Sequence, residues 1–275
     1  MRKPPRGIAA ELRRLRLEAG RRIEDVASDV GWNKSSVSRL ETGVTPVQPR
    51  HVAELAGPLR LTPVAQMRLE RMLGIVREPD QWWVRYHEVL SDRYEELIYL
   101  ESRARSIDVA STLVPGPMQC EGYARATMMR SAFVPDPDDA EMLLEVRLQR
   151  RQVITNGSAQ MAVTLSEAAL WQRFCGPVAL QAQLHHLVEL SRLDNVSLRI
   201  VPFDALIAPS LGPITVLTLP EADSTVAHVE YEGGSQLLKD ARSIKRYRRS
   251  LEYVRLAAAT EDESRQMILK RLDVL

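Results

Sequence analysis

Cysteine is nearly missing from this chain: among 275 residues only Cys120 and Cys175 occur, far apart and outside any CxxC pattern. That spacing argues against a disulfide scaffold or a zinc ribbon, and it suits a reducing, cytoplasmic setting. No run of about 18 apolar residues exists, so no segment is expected to span a membrane. The opening stretch MRKPPRGIAAELRRLR is basic but lacks the apolar core of a secretory signal. Catalytic signatures are equally scarce. There is no GxSxG, no phosphate-binding Gly-rich loop and no HExxH, and the five histidines are scattered. A non-enzymatic protein is expected, without a cofactor or a metal.

What is present is the balance of a globular chain, 45% hydrophobic and 27% charged. The formal net charge of +1 hides an asymmetry: residues 1–75 hold 14 Lys/Arg against 8 Asp/Glu, and the remainder holds 23 against 28. A basic module joined to a mildly acidic body fits a nucleic-acid reader with a separate control domain.

Apolar periodicity divides the first 75 residues into about five short helices. Ile8, Leu12, Leu15 and Ala19 mark the first, which Gly20 stops. Ile23, Val26, Ala27 and Val30 mark the second, ending at Gly31. Asn33 then offers a side-chain oxygen to cap a third, whose inward residues are Ser36 or Val37 and Leu40. Segments 50–59 and 63–73 supply two more. The helical pattern breaks at REPD, near residues 76–80, and the boundary is placed there: a helical domain over 1–76 and a second domain over 77–275.

The texture then changes. Residues 88–105 read as a helix and SIDVAST as a short strand. VPGPMQ is a loop, GYARATMM begins a helix, and PDPDDAEMLLEVRLQRRQVI is one capped helix with Asp138 as its cap. MAVTL, VSLRIVPF, PITVLTL and TVAHVEY are short and rich in β-branched residues, as buried strands are. GPVALQAQLHHLVELSRL and ARSIKRYRRSLEYVRLAAA are long amphipathic helices, and Thr260 with Glu263 has the spacing of a capping box. The expected fold is therefore two-domain: an all-α five-helix module followed by an α/β (α+β) body.

The second and third helices, joined at Gly31, fit a helix-turn-helix. Ala27 lies where the two helices cross, so a bulky side chain there would separate them. The outward set is Lys34, Ser35, Ser38 and Arg39. Short residues let the helix backbone approach a major-groove floor, while Arg and Lys reach guanine edges or phosphates.

LRRLRLEAGRRIEDVASDVGWNKSSVSRLETG, residues 12–43, resembles the XRE (lambda-repressor-like) helix-turn-helix family of transcriptional regulators. The resemblance implies double-stranded DNA as partner, with Lys34, Ser35 and Arg39 reading bases and Asn33, Ser36 and Ser38 capping the helix or touching the backbone. It also implies that Arg16 and Glu41 form a structural ion pair. Where the family often carries a phosphate-binding Gln this chain has Ile23, so phosphate clamping is expected to shift to Arg21 and Arg22. Further along, WWVRYHEVL, LIYLESRARSI, LVPGPMQCEGYARATM, VRLQRRQVI, LSEAALWQRFCGP, LRIVPF and GPITVLTLP resemble the second domain of actinobacterial, antitoxin-like developmental regulators of streptomycetes. That resemblance implies a transcription factor paired with a small companion protein encoded nearby, its second domain sensing a ligand or binding the companion; a homodimer is expected because such DNA readers bind two half-sites one turn apart. The alternative is an antitoxin-like interaction module that mainly sequesters its companion, with DNA binding secondary.

Other features are weaker. VPGPMQ with Trp82, Trp83, Pro115, Met118 and Tyr123 lines a pocket or receives a companion's peptide, or else merely closes the core. His185 and Glu189, one turn apart, lack a third metal ligand. Cys120 and Cys175 read as buried structural thiols. KRYRRS (245–250), on a helix with Ile244, Tyr247, Leu251 and Val254, reads as a solvated face or partner surface, with nucleic acid as the alternative.

Overall fold

The computed structural model describes residues 7–74, 81–130, 136–157, 159–206, 212–220, 224–231 and 234–275. The boundary read at residues 76–80 lies outside them. The chain forms two compact units, Met1–Glu96 and Leu97–Leu275.

In the first unit, helices α1 (Ile8–Glu18), α2 (Ile23–Asp29), α3 (Lys34–Glu41), α4 (Pro49–Ala56) and α5 (Pro63–Met72) follow one another through short turns. Their apolar stripes meet in one core of Leu12, Leu15, Val26, Ala27, Val37, Leu40, Val52, Leu55 and Leu69. α4 and α5 each start on a proline, whose missing N–H is no loss in a helix's first turn. A short 3-10 turn, Trp82–Tyr86, precedes α6 (Asp92–Arg103), of which residues up to Glu96 belong to the first unit and the rest to the second. This helix starts later than the periodicity suggested, at Asp92 rather than Glu88, because residues 82–86 take the tighter turn.

The first unit is further tied by charge. Arg68 of α5, 8% exposed, meets Glu11 at 3.1 Å, Asp92 at 2.6 Å and also Glu95; Arg14 meets Glu11 at 2.6 Å and Asp92 at 2.7 Å. Burial would raise the Asp92 carboxyl, but the two guanidiniums outweigh it and hold it below its ordinary value. Glu95 goes the other way: burial raises its carboxyl beyond what Arg68 offsets.

The second unit is built on a mixed six-stranded sheet in the order β3-β2-β1-β4-β5-β6. β1 (Ser106–Ser111), β2 (Gln160–Ser166) and β3 (Val196–Val201) are parallel; β4 (Ile214–Thr218), β5 (Thr225–Tyr231) and β6 (Gly234–Leu238) add on antiparallel. Parallel neighbours need crossover segments. α7 (Glu121–Met129), α8 (Pro137–Gln149) and α9 (Gln152–Thr155) lie between β1 and β2, and α10 (Ala168–Trp171) and α11 (Pro177–Leu190) between β2 and β3. α12 (Ala241–Leu256) packs on the sheet through Tyr247, Leu251 and Val254. α13 (Glu261–Asp273) opens on the Thr260–Glu263 capping box. The start of α13 also covers the sheet edge at Ile200: Ser264 Oγ accepts from the Ile200 N–H at 2.8 Å, and the N–H of Ala259, just before the cap, donates to the Ile200 carbonyl at 2.9 Å.

The architecture is the expected one, an all-helical domain followed by an α/β domain. Three local readings are corrected. The long helix after residue 135 is two pieces, α8 and α9, since the chain turns at Arg150 and Arg151. α8 starts at Pro137, so Asp138 sits inside its first turn and Asp136 precedes it. β6 carries no β-branched residue and was not anticipated; pairing with β5 makes it a strand.

Candidate nucleic-acid interface

α2 and α3 are joined by Val30–Asn33. Gly31 takes φ +71°, a left-handed backbone that costs an ordinary L-residue roughly 1–2 kcal/mol. The Trp32 N–H then reaches back to the Ala27 carbonyl at 2.8 Å. Ala27, 3% exposed, belongs to the same core as Val37 and Leu40, so the crossing is close because that side chain is a single methyl. This settles the inward face of α3 as Val37 and Leu40 rather than Ser36, which is half-buried.

Asn33 caps α3. Its Oδ1 accepts from the Ser36 N–H at 2.9 Å, the Ser36 hydroxyl at 2.9 Å and the Ser35 hydroxyl at 2.6 Å. Ser35 and Ser36 therefore support the cap, while Ser38 is half-buried on the flank. Lys34, Ser35 and Arg39 are exposed. The Lys34 ammonium pairs with Glu24 of α2 and holds that carboxyl below its ordinary value. Arg39 has no acidic partner among the described residues.

The far end of α3 is fixed by the Arg16–Glu41 pair. Nε of Arg16 donates to Oε1 at 2.6 Å and Nη2 to Oε2 at 3.0 Å, with both side chains buried. The bidentate hydrogen bonds to Glu41 outweigh burial and raise the Arg16 guanidinium above its ordinary value. Arg16 Nη1 also donates to the Arg21 carbonyl at 2.8 Å, anchoring the turn that carries Arg21 and Arg22. Arg21 pairs with Asp29, and Arg22 is exposed at the start of α2. Ile23, where the family often has Gln, packs against the core instead.

Two contributors were missed from sequence. Between α3 and α4 lies a concavity of about 460 Å³ whose lining includes Trp32, Asn33, Arg39, Arg50, His51 and the acidic Glu54. It brings Arg50 and Arg39 to one opening. His51 stands edge-on to Trp32 at 5.5 Å, and its Nδ1 accepts from the Gln48 N–H at 3.1 Å, which leaves the proton of the neutral ring on Nε2. Burial first, then the Arg50 charge, lowers the ring's pKa. The QPRH run after a proline was the available signal.

The second set of candidate residues divides. Trp82 and Trp83 stack edge-to-face at 5.8 Å in the first unit, with Trp83 only 1% exposed. Pro115, Met118 and Tyr123 belong to the second. There Met118 and Tyr123 are both fully buried, and burial pushes the Tyr123 phenol up to about 12. The VPGPMQ loop is locked from several sides. Gln183 donates to the Met118 carbonyl and accepts from the Cys120 N–H, both at 2.8 Å. Gly116 sits against Arg150, where a Cβ would come within 2.8 Å of Nη1, and Arg150 is itself held bidentate by buried Glu101. Met118 and Tyr123 thus fill the core, and neither side chain is presented to a partner.

The histidine reading shifts by one residue. His186, half-buried, lies 3.8 Å from Glu189, while His185 points to solvent. Among the described residues no group of three His, Cys, Asp or Glu is placed to hold a metal ion. Cys120 and Cys175 are half-buried rather than buried, and both are free. No helix among the described residues is long and apolar enough to cross a membrane.

Comparison with known families follows this division of the chain. Residues 94–270 match the family described as a domain of unknown function (DUF5753), and residues 8–69 match a helix-turn-helix domain. The second match agrees with an XRE-like module and gives the chain a DNA-binding domain. No curated protein and no solved structure matches the chain.

Proposed function

This chain belongs to the DUF5753 family and carries a DNA-binding helix-turn-helix domain, and from that premise we propose that it is a sequence-specific transcriptional regulator without catalytic activity. The observation that carries the reading is the division of α3 into two faces: Val37 and Leu40 are buried in the bundle, and Lys34, Ser35 and Arg39 are exposed on its outer edge. In this reading α3 enters a major groove and Arg39, which forms no ion pair among the described residues, is the base reader. Lys34 exchanges Glu24 for DNA, an exchange with little cost because the pair is exposed and water screens it. Arg21 and Arg22 serve phosphates, and Arg50, which lines the same concavity as Arg39, does so too.

The second unit is the regulatory part in this proposal, sensing a ligand or binding a small companion protein. The protein acts as a cytoplasmic homodimer, since readers of this type place two recognition helices one turn apart. Genome-wide binding-site mapping tests the reading. The expected result is a small set of sites sharing a two-half-site motif; sites without any common motif would refute sequence-specific reading.

A further inference from the structure

α12 is the most basic element of the second unit, and nothing in the helix-turn-helix reading uses it. Its sixteen residues hold six Lys/Arg and one acid, Glu252, within a region (residues 76–275) where acids outnumber bases 28 to 23. The helix has two sides. Tyr247, Leu251 and Val254 pack on the sheet. Arg248 and Arg255 flank that face: Arg248 donates to Thr225 Oγ1 at 2.9 Å, Arg255 to Ser197 Oγ at 3.3 Å, and both act on the half-buried Asp108 carboxyl. The remaining four, Arg242, Lys245, Arg246 and Arg249, are exposed and lie at helical spacing on the opposite side.

None of the four has an acidic partner among the described residues. Arg246 only leans over the Tyr247 ring at 5.6 Å. By contrast Arg14, Arg16, Arg68, Arg125, Arg150 and Arg265 all form ion pairs. The arrangement works against the helix itself. Arg242 with Arg246, and Lys245 with Arg249, are like charges at i,i+4. Three of the four sit in its N-terminal half, where the helix dipole favours anions. Four charges held together at a cost to the fold form a surface that an external polyanion relieves.

We propose that this α12 face binds the phosphate backbone of the same DNA that the helix-turn-helix domain engages. The occupant follows from charge complementarity and from tethering. Once the first unit holds a duplex, the second unit experiences it at high effective concentration, so four weak phosphate contacts add affinity that they lack alone. The contacts carry no sequence information. The proposal extends the DNA-binding reading to a second surface.

The test uses the full chain with Arg242→Gln, Lys245→Gln, Arg246→Gln and Arg249→Gln together, substitutions that remove charge from exposed positions and leave the packed face intact. Unchanged circular dichroism and an unchanged or higher melting temperature confirm folding. Binding to a 60-bp duplex of arbitrary sequence is then measured against salt. With a slope of about 0.9 per phosphate contact, loss of all four makes the variant's plot of log K against log salt shallower by about 3.6, and affinity near 0.1 M salt falls at least tenfold. An unchanged slope and affinity, with the parent chain binding well, overturns the α12 proposal alone. A parent that binds no duplex overturns it together with the DNA-binding reading. Polyglutamate is the control polyanion: loss of polyglutamate binding in the variant with duplex binding intact assigns the face to an acidic polypeptide and overturns the proposal as well.

Discussion

α3 and α12 both expose cations, yet the molecule treats them in opposite ways. α3 places only Lys34 and Arg39 among short serines, holds its end through Arg16–Glu41, and orders its first turn through a triply bonded Asn33. α12 packs four cations side by side on its outer face with no acidic partner among the described residues, and only Arg246 leans on a neighbour, the Tyr247 ring. Fixed, sparse charge suits recognition, because a base edge demands a donor at a set place. Dense, unpaired charge suits attraction, because phosphates along a duplex are interchangeable. The contrast is between positioning and accumulation.

Removing the scaffold of α3 should break the comparison most severely. Arg16→Ala leaves Glu41 buried without its partner and should cost about 3–5 kcal/mol of stability in the first unit, read by urea denaturation. A loss below 1 kcal/mol would show that α3 does not depend on the pair. Arg39→Ala should keep the fold and cost about 1–3 kcal/mol of discrimination between a mapped site and arbitrary DNA. The smallest effect sharpens what the two helices share, since both are capped: Asn33 accepts from the Ser36 N–H at 2.9 Å and Asp240 from the Ser243 N–H at 2.9 Å. Asn33→Ala should cost about 1 kcal/mol in thermal melts, and Asp240→Ala should lower the melting temperature slightly. Only the Asn33 change should also weaken site discrimination, since only α3 is required to hold its side chains in register.

Local signals explain what was legible in the sequence. The turn at Gly31, the Asn33 cap, the small Ala27 and the Thr260–Glu263 box each act within a few residues, so the chain announces them without its fold. The strands β1 to β5 were readable because β-branched residues cluster in them. β6 was not, because Gly234–Leu238 becomes a strand only through its β5 partner. Helix periodicity could not see the chain turn at Arg150 and Arg151, where the Arg150 side chain is drawn to Glu101 of α6, 49 residues earlier. At the site, spacing placed Lys34, Ser35 and Arg39 outward on α3, where they are exposed, but it also placed Ser38 there, which is half-buried. Spacing did not reveal Arg50 and His51, because the concavity that gathers them with Arg39 exists only after α4 packs beside α3. The VPGPMQ loop carried the composition of a binding loop, yet Gln183 and Arg150 come from distant segments to lock it into the core.

The most direct test places the two helices in one experiment. The Arg39→Ala chain and the chain with all four α12 substitutions are each titrated, across a salt series, with a mapped site and with an arbitrary duplex of the same length. A double dissociation is expected. Arg39→Ala lowers the ratio of site to arbitrary affinity by about ten- to a hundredfold with little change in salt slope, and the α12 variant flattens the slope on both duplexes while keeping the ratio. An Arg39→Ala chain that retained the parent's full site preference would contradict the assignment of α3 as the reading helix.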